Sequence, residues 1–267
     1  MNIDLIEPVQ AVLEEVRSVT GKDLEFIARD ELPAYARIKM ARKDMPSHLV
    51  YYRKKHDEII NHLIVHECGH ILRTFRCPED RRLVPFSDRQ TMRAALSQIE
   101  GEITAVAGSI PGDQLASAVG FWYSGIILQL TNLPPDIMIE KWIHDRFPSL
   151  RPIQLKSLQR QHAEAVAVLG EAATSMTPRT ILFASNVMNY AFFRVLGLHI
   201  GRNFVREYNQ TPYLGRGKEL AAMTGRDYAD SHEGDNLMID RWAKFLNMTG
   251  WFQWRDFEDL PPDYEQH

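Results

Sequence analysis

The sequence predicts an α+β fold that is predominantly helical. Three observations carry that reading. A run of β-forming residues, His48-Leu49-Val50-Tyr51-Tyr52-Arg53, stands in the first quarter of the chain. From Asp88 onward, apolar residues recur at three- and four-residue spacing in one segment after another. Prolines at 134, 135, 148, 152 and 178 punctuate those segments. With 267 residues, 45% hydrophobic and 25% charged, the chain has room for one large domain or two small ones. The expected division is 1–111, holding the sheet, and 112–267, a helical region packed on it or continuous with it.

Taken in order, Ile6 to Val19 reads as an amphipathic helix with Val9, Val12, Leu13 and Val16 on one face, followed by a mixed segment through Met45. The strand at 48–53 comes next, then a polar connection over 54–57 and an apolar helix from Ile59 to Leu72. A second helix spans Asp88 to Ile110, its stripe formed by Met92, Ala95, Leu96, Ile99, Ile103 and Val106, and it stops at Pro111. Further helices are expected over Leu115–Thr131, Asp136–Phe147, Ile153–Ala173 and Thr180–Ile200. Tyr213 to Asp235 reads as a loop or short helical turn before a last helix, Leu237–Leu246. Trp251, Phe252 and Trp254 form a terminal clamp.

The helix from Ile59 contains His66-Glu67-Cys68-Gly69-His70, an HExxH motif. Side chains four apart on a helix lie one turn above each other, so His66 and His70 can present their rings to one ion, for which Zn2+ is the expected identity. Glu67 points about 100° away around the helix, where its carboxylate reaches a water without ligating the metal; its expected role is general base. The flanks suit a buried site helix, with Leu63 and Ile64 before the motif and Ile71 and Leu72 after it. Gly69 lowers helix propensity by roughly 1 kcal/mol against Ala, which points to close packing against another backbone or to room for substrate. His62, a turn earlier, extends the histidine stripe. Three residues of one stripe cannot all reach one tetrahedral ion, so His62 is expected to support the ligands or to face solvent rather than to join them.

A catalytic zinc takes three protein ligands, so an acid from elsewhere is required. Glu100 and Glu102 on the Asp88–Ile110 helix are the candidates, each about 80° from the centre of its apolar stripe. Glu102 shares its side with Ala95, Gln98, Ala105 and Ser109, small residues that permit close helix approach, and is preferred over Glu100 on that ground. For the group that stabilises the oxyanion, Tyr190, His199, Tyr213 and His232 are all open.

HECGH followed about thirty residues later by Ile99-Glu100-Gly101-Glu102-Ile103-Thr104-Ala105 and Pro111 resembles the gluzincin arrangement, and more narrowly the ImmA/IrrE-like metallopeptidases, over roughly residues 51–111. The resemblance implies a zincin-like core, zinc on His66, His70 and Glu102 or Glu100, and Glu67 as base in an intracellular regulatory peptidase.

Bulk properties narrow the partners. With 31 basic and 35 acidic residues the net charge is -4, which offers no broad attraction for nucleic acid or an anionic membrane surface. Two cysteines, Cys68 and Cys77, make no disulfide framework, and with no secretory signal visible at the N-terminus a cytoplasmic setting is expected. Gln114 to Pro135 carries no charge, but Asp113 and Asp136 flank it, so a buried core helix is expected there rather than a membrane span. The sequence therefore points to a zinc metallopeptidase acting on a peptide or protein. The rival reading is a metal-bearing regulatory or binding protein without proteolytic activity.

Overall fold

The structure, a computed structural model, describes residues 4–32, 35–261 and 264. Helix α1 (Glu7–Thr20) buries Val9, Val12 and Val16, the face its periodicity predicts, and ends at Gly21. There φ is 70°, the left-handed conformation that glycine adopts without strain, and its N–H closes the helix on the Arg17 carbonyl. Three strands follow, β1 (Asp23–Ala28), β2 (Ala36–Lys39) and β3 (Ser47–Tyr52), in the order β1-β3-β2. β3 runs parallel to β1 and antiparallel to β2. The expected strand at 48–53 is thus β3, internal and paired on both sides; the outer strand on the functional face is β2.

Helix α2 (Ile60–Arg76) lies on this sheet and on α1, burying Leu63, Ile64, Cys68, Ile71 and Leu72. The expected helix at 88–110 forms as two, α3 (Arg89–Gln98) and α4 (Glu100–Ala107), broken at Ile99 where φ is -119° and ψ 17°. Asp88 opens α3 with a reciprocal cap to Thr91.

The two helices expected on either side of Pro134 and Pro135 are instead one, α5 (Leu115–Arg146), which runs straight through both prolines. Each proline removes one backbone donor from the helix. Burial of Trp122, Ile126, Leu130, Ile137, Ile139 and Ile143 on either side of the pair holds the two halves in one element. The expected helix at 153–173 divides into α6 (Arg151–Ala167) and α7 (Glu171–Met176). α8 (Arg179–Ile200) forms as predicted. The Gly-rich stretch expected as a loop is largely α9 (Leu214–Asp227), and α10 (His232–Phe245) follows. Gly217 explains the first difference: a Cβ there would meet the Tyr190 ring at 2.6 Å, so the glycine lets α9 press against α8 rather than unwinding it. Nor is the second half wholly helical. β5 (Gln253–Asp256) pairs antiparallel with β4 (Leu83–Phe86) and ties the C-terminal segment to the first half.

Two apolar cores result. One joins α1, the sheet, α2 and Ile139 and Ile143 of α5, closed by Phe257 and Leu260. The other gathers Trp122 to Ile137 of α5 with α8, α9, α10 and the buried Trp251 and Phe252. The change from one core to the other falls inside α5 rather than at residue 111. Among the described residues one helix, α8, is long and apolar enough by composition to cross a membrane, and 78% of that window is buried within the protein. The uncharged Gln114–Pro135 stretch supplies buried residues of α5 to the second core.

Candidate metal centre

His66 and His70 lie one turn apart on α2, half-shielded from solvent, with ring centroids 5.1 Å apart. What faces them is not α4 but α5. Asp136 Oδ1 lies 3.3 Å from His66 Nε2 and 3.1 Å from His70 Nε2. One turn further along α5, Glu140 is fully buried and accepts from His66 Nδ1 at 2.8 Å and from His62 Nε2 at 3.1 Å. Gln154 of α6 donates to the same carboxylate at 2.6 Å. An i,i+4 pair of histidines on one helix therefore meets an i,i+4 pair of acids on its neighbour.

Gly69 makes this meeting possible. A Cβ at that position would fall 2.7 Å from Cγ2 of Ile139, the α5 residue between the two acids, so any larger side chain would hold the helices apart. Beyond the motif, Arg73 donates to both oxygens of Asp235, at 2.7 and 2.6 Å, and anchors the same helix to α10.

Two groups among the described residues could hold a metal ion, His66-His70-Asp136 and His62-His66-Glu140. In the first group, Asp136 Oδ1 is buried and has no hydrogen-bond partner, although two ring nitrogens face it. For tetrahedral zinc with bonds of about 2.0–2.1 Å, ligand atoms stand about 3.3 Å apart. The Asp136 separations match that spacing. In the second group, the carboxylate is already saturated by His62, His66 and Gln154.

The charges agree. Burial works against a proton on His66, but Asp136 and Glu140 outweigh it and carry the imidazole well above its ordinary pKa. Burial likewise pushes both acids up, yet each ends below the ordinary carboxylate range, Asp136 through His66 and His70, Glu140 through His62 and His66. The cluster is thus a cradle for positive charge.

Glu67 stands on the wall of the same cleft, a space of about 160 Å³ that also meets Arg37, Leu128, Asn132 and Gln161. Its Oε2 is buried and unpartnered, and burial raises its pKa. The structure brings His66, His70 and Glu67 to one cleft, and sets His62 against Glu140 in the second of the two groups that could hold an ion.

Glu102 and Glu100 are elsewhere. Glu102 accepts from the N–H of Thr180 at 2.6 Å and from its hydroxyl at 2.8 Å, satisfying the free first turn of α8. Glu100 is exposed. The expectation failed because α3 and α4 do not lie along α2. The acids that do were visible as a pair four residues apart in an apolar stretch, Asp136-Ile137-Met138-Ile139-Glu140, but the two prolines before them read as a helix boundary.

Of the four oxyanion candidates, only His232 borders a cavity that His70 also lines. Its Nε2 donates to the Leu83 carbonyl at 2.9 Å, and burial lowers its pKa, leaving no donor for the cleft. Arg37 of β2, which the sequence reading did not consider, is the cation on the cleft wall. Cys68 is a buried thiol, as expected, with its pKa pushed up by burial.

Comparison with family models, with curated proteins and with solved structures finds no match for this chain.

Proposed function

We propose that this protein is a zinc-dependent peptidase whose metal is held by His66, His70 and Asp136, with Glu67 as general base. The observation that carries the reading is the orphaned Asp136 oxygen facing two imidazole nitrogens, with a second orphaned carboxylate, Glu67, beside them. A donor set of two imidazoles and one carboxylate suits zinc. Bound there, zinc supplies Lewis acidity that brings a water's pKa down to roughly 7.

The chain's own groups supply the rest. Glu140 takes the His66 Nδ1 proton in a hydrogen bond, which fixes the tautomer, aims Nε2 at the ion and strengthens it as a donor. His62 and Gln154 hold Glu140 in turn. Glu67 accepts a proton from the attacking water and returns it to the leaving amine. Its buried setting, with the pKa raised, suits a group that must both take and give that proton. Arg37 places positive charge beside the cleft, where the oxyanion of the tetrahedral intermediate develops.

An extended substrate backbone is accommodated at β2, the outer strand, which carries Arg37 on the cleft wall and offers main-chain groups for strand addition. Gln161 borders both the cleft and an apolar trough of about 550 Å³ lined by Trp122, Ile126 and Phe192, a place for an apolar side chain of the substrate.

The test is a cleavage screen of the purified zinc-loaded chain against a proteome-derived peptide library, beside Glu67→Gln. The variant should retain zinc and lose hydrolysis by a factor on the order of 10²–10⁴. Identical peptide profiles for the two proteins, both loaded with metal, would end the peptidase reading and favour a binding protein on the same metal scaffold.

A further inference from the structure

A second cavity, of about 750 Å³, opens among α5, α8, α9 and the segment that joins α8 to α9. It shares no lining residue with the metal cleft. Its volume falls in the range of small-molecule sites, about 300–1,000 Å³. Four cations from four different stretches of chain converge on it: Lys141 of α5, Arg194 of α8, Arg206 of the connecting segment and Lys218 of α9. No carboxylate among the described residues lines its wall. Among the described residues, none of the four cations forms an ion pair or a side-chain hydrogen bond. Lys141 feels the charge of Asp230 and Asp145 without an ion pair to either, and Asp145 accepts from His199 at 2.9 Å.

Elsewhere the chain's cations pair readily: Arg73, Arg76, Arg146 and Lys156 each meet an acid. Four cations without an ion pair line one space, which makes it attractive to a bound anion. The floor is of another kind, formed by Val195, Val205 and Ala221, all buried, with Leu198 66% exposed at the rim. Asn203 adds a polar donor, since its carbonyl oxygen is already occupied by the N–H of Val205.

We propose that this cavity binds an organic phosphate, the phosphate groups held by the two guanidiniums and two ammoniums and the organic body resting on the apolar floor. Guanidinium favours bidentate phosphate contacts and ammonium acts as a point charge, so the mixed set suits phosphate better than a lone carboxylate. This inference is independent of the metal reading.

The test is titration calorimetry on the full chain at low salt, with ATP, pyrophosphate and adenosine as probes. ATP should bind saturably at one site, pyrophosphate more weakly and adenosine more weakly still. Arg194→Ala and Lys218→Ala should each weaken ATP by about tenfold or more, the worth of a charge-assisted contact. Lys244→Ala, which removes an exposed lysine of α10 outside the cavity, should leave binding unchanged. So should Asp136→Ala, which separates this site from ATP chelating a metal. Absence of saturable ATP binding, equal losses in Lys244→Ala and Arg194→Ala, or loss of binding in Asp136→Ala would each overturn the proposal, and pyrophosphate binding as tightly as ATP would remove the role of the floor. Both substituted side chains are exposed, and thermal melts in the far-ultraviolet confirm that the variants fold.

Discussion

α5 and α8 are both long, apolar and buried along one side, yet they handle polarity in opposite ways. The buried polar groups of α8 are neutral amides with modest partners. Asn186 donates to the Leu182 carbonyl of its own helix, and Asn189 accepts from Gln129 of α5. α5 instead carries two carboxylates into the interior, one of them fully buried. An ionised group there carries a penalty of several kcal/mol unless matched. Three histidines and a glutamine provide the match. The amides of α8 fit a structural role; of the acids of α5, Glu140 is matched by its neighbours, whereas Asp136 keeps a buried oxygen without a hydrogen-bond partner.

The sharpest way to break that contrast is to remove the acid. Wild-type protein loaded with zinc and dialysed should hold about one equivalent by elemental analysis, the three-ligand expectation. Asp136→Ala and His66→Ala should hold essentially none. Glu100→Ala should keep the full amount. Glu102→Ala should also keep it while losing roughly 1–3 kcal/mol of stability, because it strips two hydrogen bonds from the start of α8. Zinc retained in Asp136→Ala and lost in Glu102→Ala would reverse the assignment.

Burial without an acid should give the opposite behaviour, and His48 shows it. It is fully buried on β3, its Nδ1 accepts from the N–H of Ala41 at 2.9 Å, and its Nε2 is 3.2 Å from the Thr20 hydroxyl. Burial, aided by the charge of Lys22, lowers its pKa from 6.5 to about 4. The folded state therefore prefers the neutral ring. Its stabilising contribution is complete above the unfolded value of 6.5 and is lost as pH falls through that window toward 4. At about 1.4 kcal/mol per pKa unit, up to roughly 3 kcal/mol is at stake. Urea unfolding at pH 7, 5.5 and 4 should show this loss, and His48→Asn, which keeps an acceptor but does not titrate, should flatten it. Equal slopes for the two proteins would dismiss His48 as the cause.

A smaller effect separates support from ligation. Glu140→Gln leaves the three ligands in place but weakens the hold on His66, and zinc affinity should fall 10–100-fold. Asn189→Ala on α8 should cost roughly 1 kcal/mol of stability and leave zinc affinity alone. If both variants bound zinc as tightly as wild type, the α5 acid would have no more to do with the metal than the α8 amide.

How much of this was legible in advance differs between the two helices of the centre. Everything α2 contributes can be read from one contiguous stretch, because HExxH spacing is local: the histidine pair, Glu67 and the glycine all follow from positions along a single helix. The Asp136 contribution depends on which helix lies alongside, and that is set by tertiary packing. Two adjacent prolines concealed it further, since their usual meaning is a helix end and here burial overrides them. Glu102 does reach another helix, the start of α8, but through its side chain alone: its small neighbours Ala105 and Ser109 are exposed and mark no close approach. α9 was missed for a related reason: glycine reads as loop in sequence and serves as a helix contact in the fold.

That last point gives the finest comparison, between two glycines at two helix interfaces. An alanine Cβ at Gly69 would meet Ile139 of α5 at 2.7 Å, and one at Gly217 would meet the Tyr190 ring of α8 at 2.6 Å. Each Gly→Ala change gains roughly 1 kcal/mol of helix propensity and loses about 1–3 kcal/mol to overpacking. The net loss should therefore lie between about 0 and 2 kcal/mol at both sites, measured by chemical denaturation. What separates them is the metal. Displacing Ile139 moves the turn of α5 between Asp136 and Glu140, so Gly69→Ala should weaken zinc binding, whereas Gly217→Ala should not. Adding Ile139→Ala to Gly69→Ala makes room for the new methyl and should restore affinity. If the double variant still bound zinc weakly, the spacing of the two helices would not be what sets the acid in place.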